Sequence, residues 1–173
     1  MDSKALYQLS YGMYVVGSTM NNDYNGQIAN TVFQISSEPA TIAISINKQN
    51  LTHDFIVSSK VFTVSTLDKE TPLKQIGLFG FKSGRAVKKF KESAYKIGVT
   101  KAPIATENAL SYLEAEVVNA IDVVTHTVFV GKIVAAEVLK VGEPMTYAYY
   151  HEVKRGLTPK QAPTYINPAG NPG

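Results

Sequence analysis

Three polar segments carry the residues of this chain best suited to chemistry: "NGQIANTVFQIS" (25–36), "NKQNLTH" (47–53) and "GFKSGR" (80–85). Together they offer amide, hydroxyl and ammonium donors with few carboxylates. A phosphate group wants that set: backbone N–H groups at a helix N-terminus, short hydroxyls and one or two cations. Lys48, Lys82 and Arg85 could supply the cations, and Asn50 and Thr52 hydrogen bonds at a helix start. Each segment also has a purely structural reading. Asn50 suits an N-cap, Ser83-Gly84 suits a turn, and Lys82 suits a solvated surface. His126 alternates with Val128 and Val130 and could face either core or cleft.

Other chemistries lack their residues. The chain has no cysteine, which excludes disulfides, thiol redox chemistry and iron–sulfur clusters, so any redox step must be carried by an organic cofactor. The three histidines, His53, His126 and His151, have no metal-ligand spacing, so no metal site is expected. No G-x-S-x-G elbow or G-x-G-x-x-G fingerprint occurs, and the glycines of "IGLFGFKSGR" (76–85) match neither a dinucleotide loop nor a P-loop. A formal charge of +3 is too mild to argue for nucleic acid. There is no apolar run of membrane-spanning length, and Met1-Asp2-Ser3-Lys4 leads into no signal core, so a cytoplasmic protein is expected.

The elements that must position these residues are mostly strands. "MYVVGSTM" (13–20) reads as a strand, followed by a turn centred on "NNDYNG" (21–26) and a second extended segment over 27–39, ended by Pro39. "ATIAISIN" (40–47) alternates, with Ile42, Ile44 and Ile46 on one face. Residues 51–60 form a short helical pattern behind Asn50. "VFTVSTL" (61–67) is a strand, and "TPLKQIGLFG" (71–80) a helix with Thr71 as N-cap and Pro72 at its first position. A helical turn is expected over 84–90, and two long strands over 112–124 and 126–139, joined near Asp122. Strands outnumber helices, so an antiparallel barrel with a few short peripheral helices is the economical architecture, because closure removes exposed edges. The Pro-rich stretch 156–173 reads as an arm or linker, beyond a single domain of residues 1–155.

The order of the motifs is more specific than any one of them. N-G-x-x-A-N-T near 25–31 is followed by "PATIAISIN", N-K-x-N-x-T-H-D, F-x-V-S-T-L, G-F-K-S-G-R, L-E-A-E-V and "HTVFVGKIV". This succession, from about residue 8 to residue 155, resembles the flavin reductase-like, FMN-binding split-barrel family. Within it, the chain looks similar to the flavin domain of high-molecular-weight rubredoxins and to flavoredoxin-like proteins.

The resemblance implies a mainly β, antiparallel Greek-key split barrel that binds FMN at a homodimer interface. Carried over to this chain, Gln27, Ile28, Ala29, Asn30 and Thr31 would edge the flavin ring. Asn47, Lys48, Asn50 and Thr52, with Phe81, Lys82, Ser83 and Gly84, would hold its phosphate or ribityl chain. His126 would stand near the nicotinamide or flavin face as the catalytic residue, with Tyr150 and His151 candidates for the same cleft. Asn30 stands where the family often has an aromatic residue. The implied activity is an NAD(P)H-dependent flavin oxidoreductase, passing a hydride from NADH or NADPH to flavin and electrons on to free flavin or a rubredoxin-type protein. The alternative is an FMN-binding electron-transfer protein reduced by a protein partner.

Overall fold

The computed structural model describes residues 3–165. Its strands are β1 (Tyr14–Met20), β2 (Asp23–Ala29), β3 (Val32–Ser37), β4 (Ala40–Asn47), β5 (Val61–Leu67), β6 (Tyr95–Ile97), β7 (Pro103–Ala105), β8 (Ala109–Val123) and β9 (His126–Val138). Seven of them form one antiparallel sheet in the order β2-β1-β5-β8-β9-β4-β3, and β6 and β7 make a separate ribbon. Three short helices decorate it: α1 (Leu51–Ser59), α2 (Leu73–Gly80) and α3 (Tyr147–Glu152). The two edge strands, β2 and β3, are consecutive in the chain and separated only by Asn30 and Thr31, so the sheet rolls up on itself. Register shifts in β8 at Glu114/Ala115 and Val117/Asn119 help the longest hairpin bend.

Rolling gives the sheet an inside. Val16, Ile44, Ile46, Phe62, Val64 and Phe129 fill it together with Ile56 of α1. Gly131 stands where β9 packs closely on the barrel interior. A Cβ there would come within 2.7 Å of the Phe62 ring and 2.8 Å of the Ala115 methyl. A second cluster, built on Met13, Val15, Leu67, Ile76, Phe79, Phe90, Met145 and Tyr150, packs α2 and α3 against the sheet.

The expected strands and the first two helices are present, with shifted boundaries. The turn after β1 is only Asn21-Asn22, both at positive φ (52° and 62°), and Asp23 already pairs with Met20. Asparagine tolerates the left-handed region, so two residues suffice for a tight hairpin and "DYNG" joins the strand. The expected extended segment 27–39 breaks at Asn30-Thr31, because β2 pairs with β1 and β3 with β4. Pro72, in extended conformation, caps α2, while the Thr71 hydroxyl donates to the Asp68 carbonyl at 2.5 Å. The helical turn expected over 84–90 is present as a hydrogen-bonded turn, with the Ala86 and Val87 amides on the Ser83 carbonyl, and a 3-10 turn follows at Lys89–Lys91. The first long strand starts three residues early, at Ala109. The arm expected over 156–173 is seen to Tyr165, and its remainder lies outside the described residues. No helix among the described residues is long and apolar enough to cross a membrane.

Phe62 is fully buried against Gly131 and Ala115, so Phe62→Ala should leave a cavity the rigid barrel cannot refill. Urea unfolding should show a loss of about 3–5 kcal/mol.

Candidate functional site

The end of β4 turns sharply into α1. The Asn50 amide donates to the Asn47 carbonyl at 3.0 Å, and the Gln49 amide to Asn47 Oδ1 at 3.0 Å. Asn50 then occupies the N-cap position with extended φ and ψ, yet its side chain makes no capping bond. The first amides of a helix have no intrahelical partner. The α1 start therefore presents N–H groups and a spare carboxamide to the space in front of it.

That space is a cavity of about 290 Å³. One wall is β2, through Asn25, Gln27, Ile28 and Ala29, with Asn30 at its end. The opposite side is Ser45, Asn47 and the α1 start, and the C-terminal end of α2 with residues 80–84 closes a third side. Tyr147 and Tyr150 of α3 and the arm, from Leu157 to Pro163, complete it. Asn25 ties the walls together. Its Nδ2 donates to Thr52 Oγ1 at 2.9 Å, and its carboxamide lies against Gly84 so closely that a Cβ there would collide with it.

Eleven of the thirteen contact residues expected from the sequence line this cavity: Gln27, Ile28, Ala29, Asn30, Asn47, Asn50, Thr52, Phe81, Lys82, Ser83 and Gly84. Thr31 and Lys48 do not. Thr31 turns its hydroxyl to Asn30 Oδ1 at 3.2 Å and its carbonyl to the Ser45 amide. Lys48 follows the β8–β9 hairpin, with its amide on the Thr125 carbonyl and its ammonium 3.3 Å from Asp122.

His126 lines a neighbouring cavity of about 740 Å³, which shares Ser45, Asn47, Gln49 and arm residues Gln161–Pro163 with the first. It sits opposite Asn47 in the β4–β9 pairing. Its Nδ1 is 2.8 Å from Thr125 Oγ1, while Nε2 is buried without a hydrogen-bond partner among the described residues. Burial favours the neutral ring and pushes its pKa below the usual histidine value, against the smaller upward pull of the Gln161 backbone. His151 is spent on the arm, with Nδ1 2.8 Å from the Gly156 carbonyl and Nε2 3.2 Å from Thr158 Oγ1.

The charge of the first cavity is one-sided, because no Asp or Glu lines it. Lys82 does, 3.6 Å from Glu92 outside. So does Lys89, in the stretch "VKKFK", whose sequence carries no local pattern that signals a buried lysine. Lys89 is buried, and its Nζ donates to the carbonyls of Gly26 (2.9 Å) and Phe79 (3.0 Å). Burial without a counter-charge lowers its pKa to about 8. Gln27 Oε1 is buried and unpartnered among the described residues, an acceptor awaiting a donor. No group of three or more potential metal ligands occurs among the described residues.

The flavin reductase like domain family matches residues 6–158. The chain belongs to that family. It is 53% identical over 165 residues to a high molecular weight rubredoxin of Moorella thermoacetica, covering 95% of this chain and 72% of that protein. It is 49% identical over 166 residues to a ferric-chelate reductase (NAD(P)H) of Archaeoglobus fulgidus, covering 96% and 98%. Among solved structures, a flavoredoxin from Methanosarcina acetivorans superposes with a TM-score of 0.70 at 24% identity, covering 75% of this chain and 69% of that one. The fold is thus the split barrel of flavin reductases, and the chain is an oxidoreductase of the flavin reductase type.

Gly84 allows residues 80–84 to close on Asn25. Gly84→Ala should push the two apart and destabilise the fold by about 1–3 kcal/mol of overpacking, as read by urea unfolding.

Proposed function

We propose that the first cavity binds FMN and that the protein passes electrons from NADH or NADPH through it to an acceptor, either free flavin or a rubredoxin-type protein. The observation carrying this reading is the convergence of three donor-rich segments, far apart in sequence, on one cavity without a carboxylate. The groups present fit an FMN. Gln27 Oε1 offers an acceptor to a ring N–H, and the β2 backbone runs along the same wall. The α1 start, with Asn50, Thr52, Ser83, Gly84 and Lys82, offers hydrogen bonds and charge to a phosphate.

When bound, the flavin supplies the hydride-accepting chemistry. The protein's part is to orient it and keep water away, and the arm and Tyr147 contribute a roof. His126, which lines the adjoining cavity, is placed to meet a nicotinamide there. The NAD(P)H-using Archaeoglobus relative supports the choice of donor. A second reading, an electron-transfer module reduced by a protein partner, is favoured by the identity to the rubredoxin of Moorella. In both, residues 1–155 form the body of the flavin-binding unit, and the arm that follows closes its cavity from Leu157 to Pro163.

We further propose a homodimer. The outer face of the β3-β4-β9-β8 region exposes Phe33 and Ile35 of β3, Val118, Ile121 and Val123 of β8, and Val134 of β9. Large apolar side chains exposed along neighbouring strands suit burial against a second copy of the chain.

Anaerobic stopped-flow mixing tests the donor. Bleaching of bound FMN by NADH or NADPH is expected, and bleaching only by a reduced protein donor would move the assignment to the second reading. His126→Ala should slow that bleaching by about 10–100-fold, the cost of a misplaced reactant, with flavin stoichiometry unchanged. Lys82→Ala should raise the Kd for FMN about threefold to tenfold, as for a partly exposed charge contact. Val118→Lys with Ile121→Lys should convert a dimer to a monomer in light scattering, and a wild-type monomer would refute the dimer.

A further inference from the structure

Lys89 is the one buried ammonium of the cavity wall, and its surroundings are unusual. Among the described residues its Nζ bonds two carbonyl oxygens, Gly26 on β2 and Phe79 near the end of α2. An ammonium has three N–H donors, so these bonds leave one unused on a side chain that lines the cavity. Both carbonyls belong to the stretches that build the donor cradle. Gly26 follows Asn25, which bonds Thr52 and touches Gly84, and Phe79 precedes Gly80–Gly84. No carboxylate offsets the charge: Asp23 of β2 is engaged by Lys88, and Glu92 by Lys82. The other titratable groups on the cavity wall are Lys82, Tyr147 and Tyr150. Tyr150 donates to the Leu157 carbonyl, and burial raises its pKa further, so it stays neutral wherever Lys89 titrates. The Tyr147 hydroxyl is engaged by Thr158 and Thr164 of the arm.

We infer that Lys89 is the buried counter-charge of a phosphate entering this cavity, and that binding of a phosphorylated flavin is thereby coupled to uptake of a proton by the protein. The inference rests on the reading of the cavity as an FMN site. Two carbonyls bind the ammonium without neutralising it, and burial costs the charged form. A free chain therefore gives up the proton readily, consistent with its lowered pKa of about 8. A phosphate ester is close to a dianion above pH 7. Placed against Lys89 it favours the charged form, so a chain that was neutral there must take a proton from solvent as the ligand binds. The coupling has a definite sign. Below about pH 8 Lys89 is already charged and affinity does not depend on it. Above, free chains lose the proton and bound ones keep it, so affinity falls as pH rises. A purely structural lysine, holding only the end of α2 to β2, would give no such coupling.

Riboflavin supplies the control, since it shares the isoalloxazine and its titrations but lacks the phosphate. Full-length protein is titrated with FMN and with riboflavin between pH 7 and 9.5, and the ratio of the two affinities is followed. The FMN preference should be flat to about pH 8 and then fall, approaching tenfold per pH unit. Calorimetry in two buffers of different ionisation enthalpy should show almost no proton uptake with FMN at pH 7. Uptake should approach one per FMN at pH 9, with none for riboflavin. Lys89→Arg keeps the charge and both carbonyl bonds and should hold the preference flat over the whole range. Lys89→Met, checked for folding by circular dichroism, should show a small, pH-independent preference. A wild-type preference that does not change with pH, or a fall shared equally by FMN and riboflavin, overturns the role of Lys89. Failure of FMN to bind at any pH overturns the cavity's assignment itself, and the inference with it.

Discussion

The connection between the two edge strands constrains everything else. β2 and β3 stand at opposite ends of the seven-strand order, yet only Asn30 and Thr31 separate them. Six strand spacings in a flat sheet would put the edges about 29 Å apart. From Ala29 to Val32 an extended chain reaches only about 11 Å. The sheet cannot lie flat. It must curl until its edges nearly touch, and β2 then approaches β4. The junction is also where the cavity opens, so the corner that closes the barrel delivers Ala29 and Asn30 to the site.

Closure also explains why the site is rich in hydrogen-bonding groups that are not spent on the fold. β2 has β1 on one side only, so its outward carbonyls need partners elsewhere, and Lys89 meets that of Gly26. At the far wall the His53 amide bonds the Asn50 carbonyl, but Asn50 does not cap the first α1 amides with its side chain. An unpaired sheet edge and a helix start face each other across a small space. The outcome is a donor-rich pocket whose positive charge is met mostly by carbonyl dipoles. Such an arrangement tolerates an anion far better than a cation.

The strands were legible because alternation survives wherever one face is buried. "ATIAISIN" and "HTVFVGKIV" pair residue for residue as β4 and β9, and Ile42, Ile44 and Ile46 are all buried. The break at Asn30-Thr31 was not legible, since nothing in its residue types forces a change of pairing partner. Contact residues read from ordered motifs mostly line one cavity because the motifs coincide with its walls. Lys48 and Thr31 stand outside it for a local reason: each lies at a turn, where adjacent side chains diverge. Lys48 reaches for Asp122, and Thr31 reaches back to Asn30. Lys89 was hidden because burial depends on β2 and α2 meeting above it, and no local pattern in "VKKFK" encodes that meeting.

The arm completes the logic of closure with the chain's own polar groups. Asn30 Nδ2 donates to Thr164 Oγ1 at 2.8 Å, and Asn47 Nδ2 to the Gln161 carbonyl at 3.3 Å. Thr158 and Thr164 both meet the Tyr147 hydroxyl, and the Leu157 amide and carbonyl both meet that of Tyr150. The barrel corner and the β4 end thus anchor the same segment that separates the two cavities. A group seated in the first cavity meets Gln161, Ala162 and Pro163 on one side, and His126 looks toward those residues from the other. Gln161, Ala162 and Pro163 thus form a wall common to both cavities. Its position is held by the few hydrogen bonds that Asn30 and Asn47 make to the arm, which joins the barrel's closing corner directly to the wall between the two spaces.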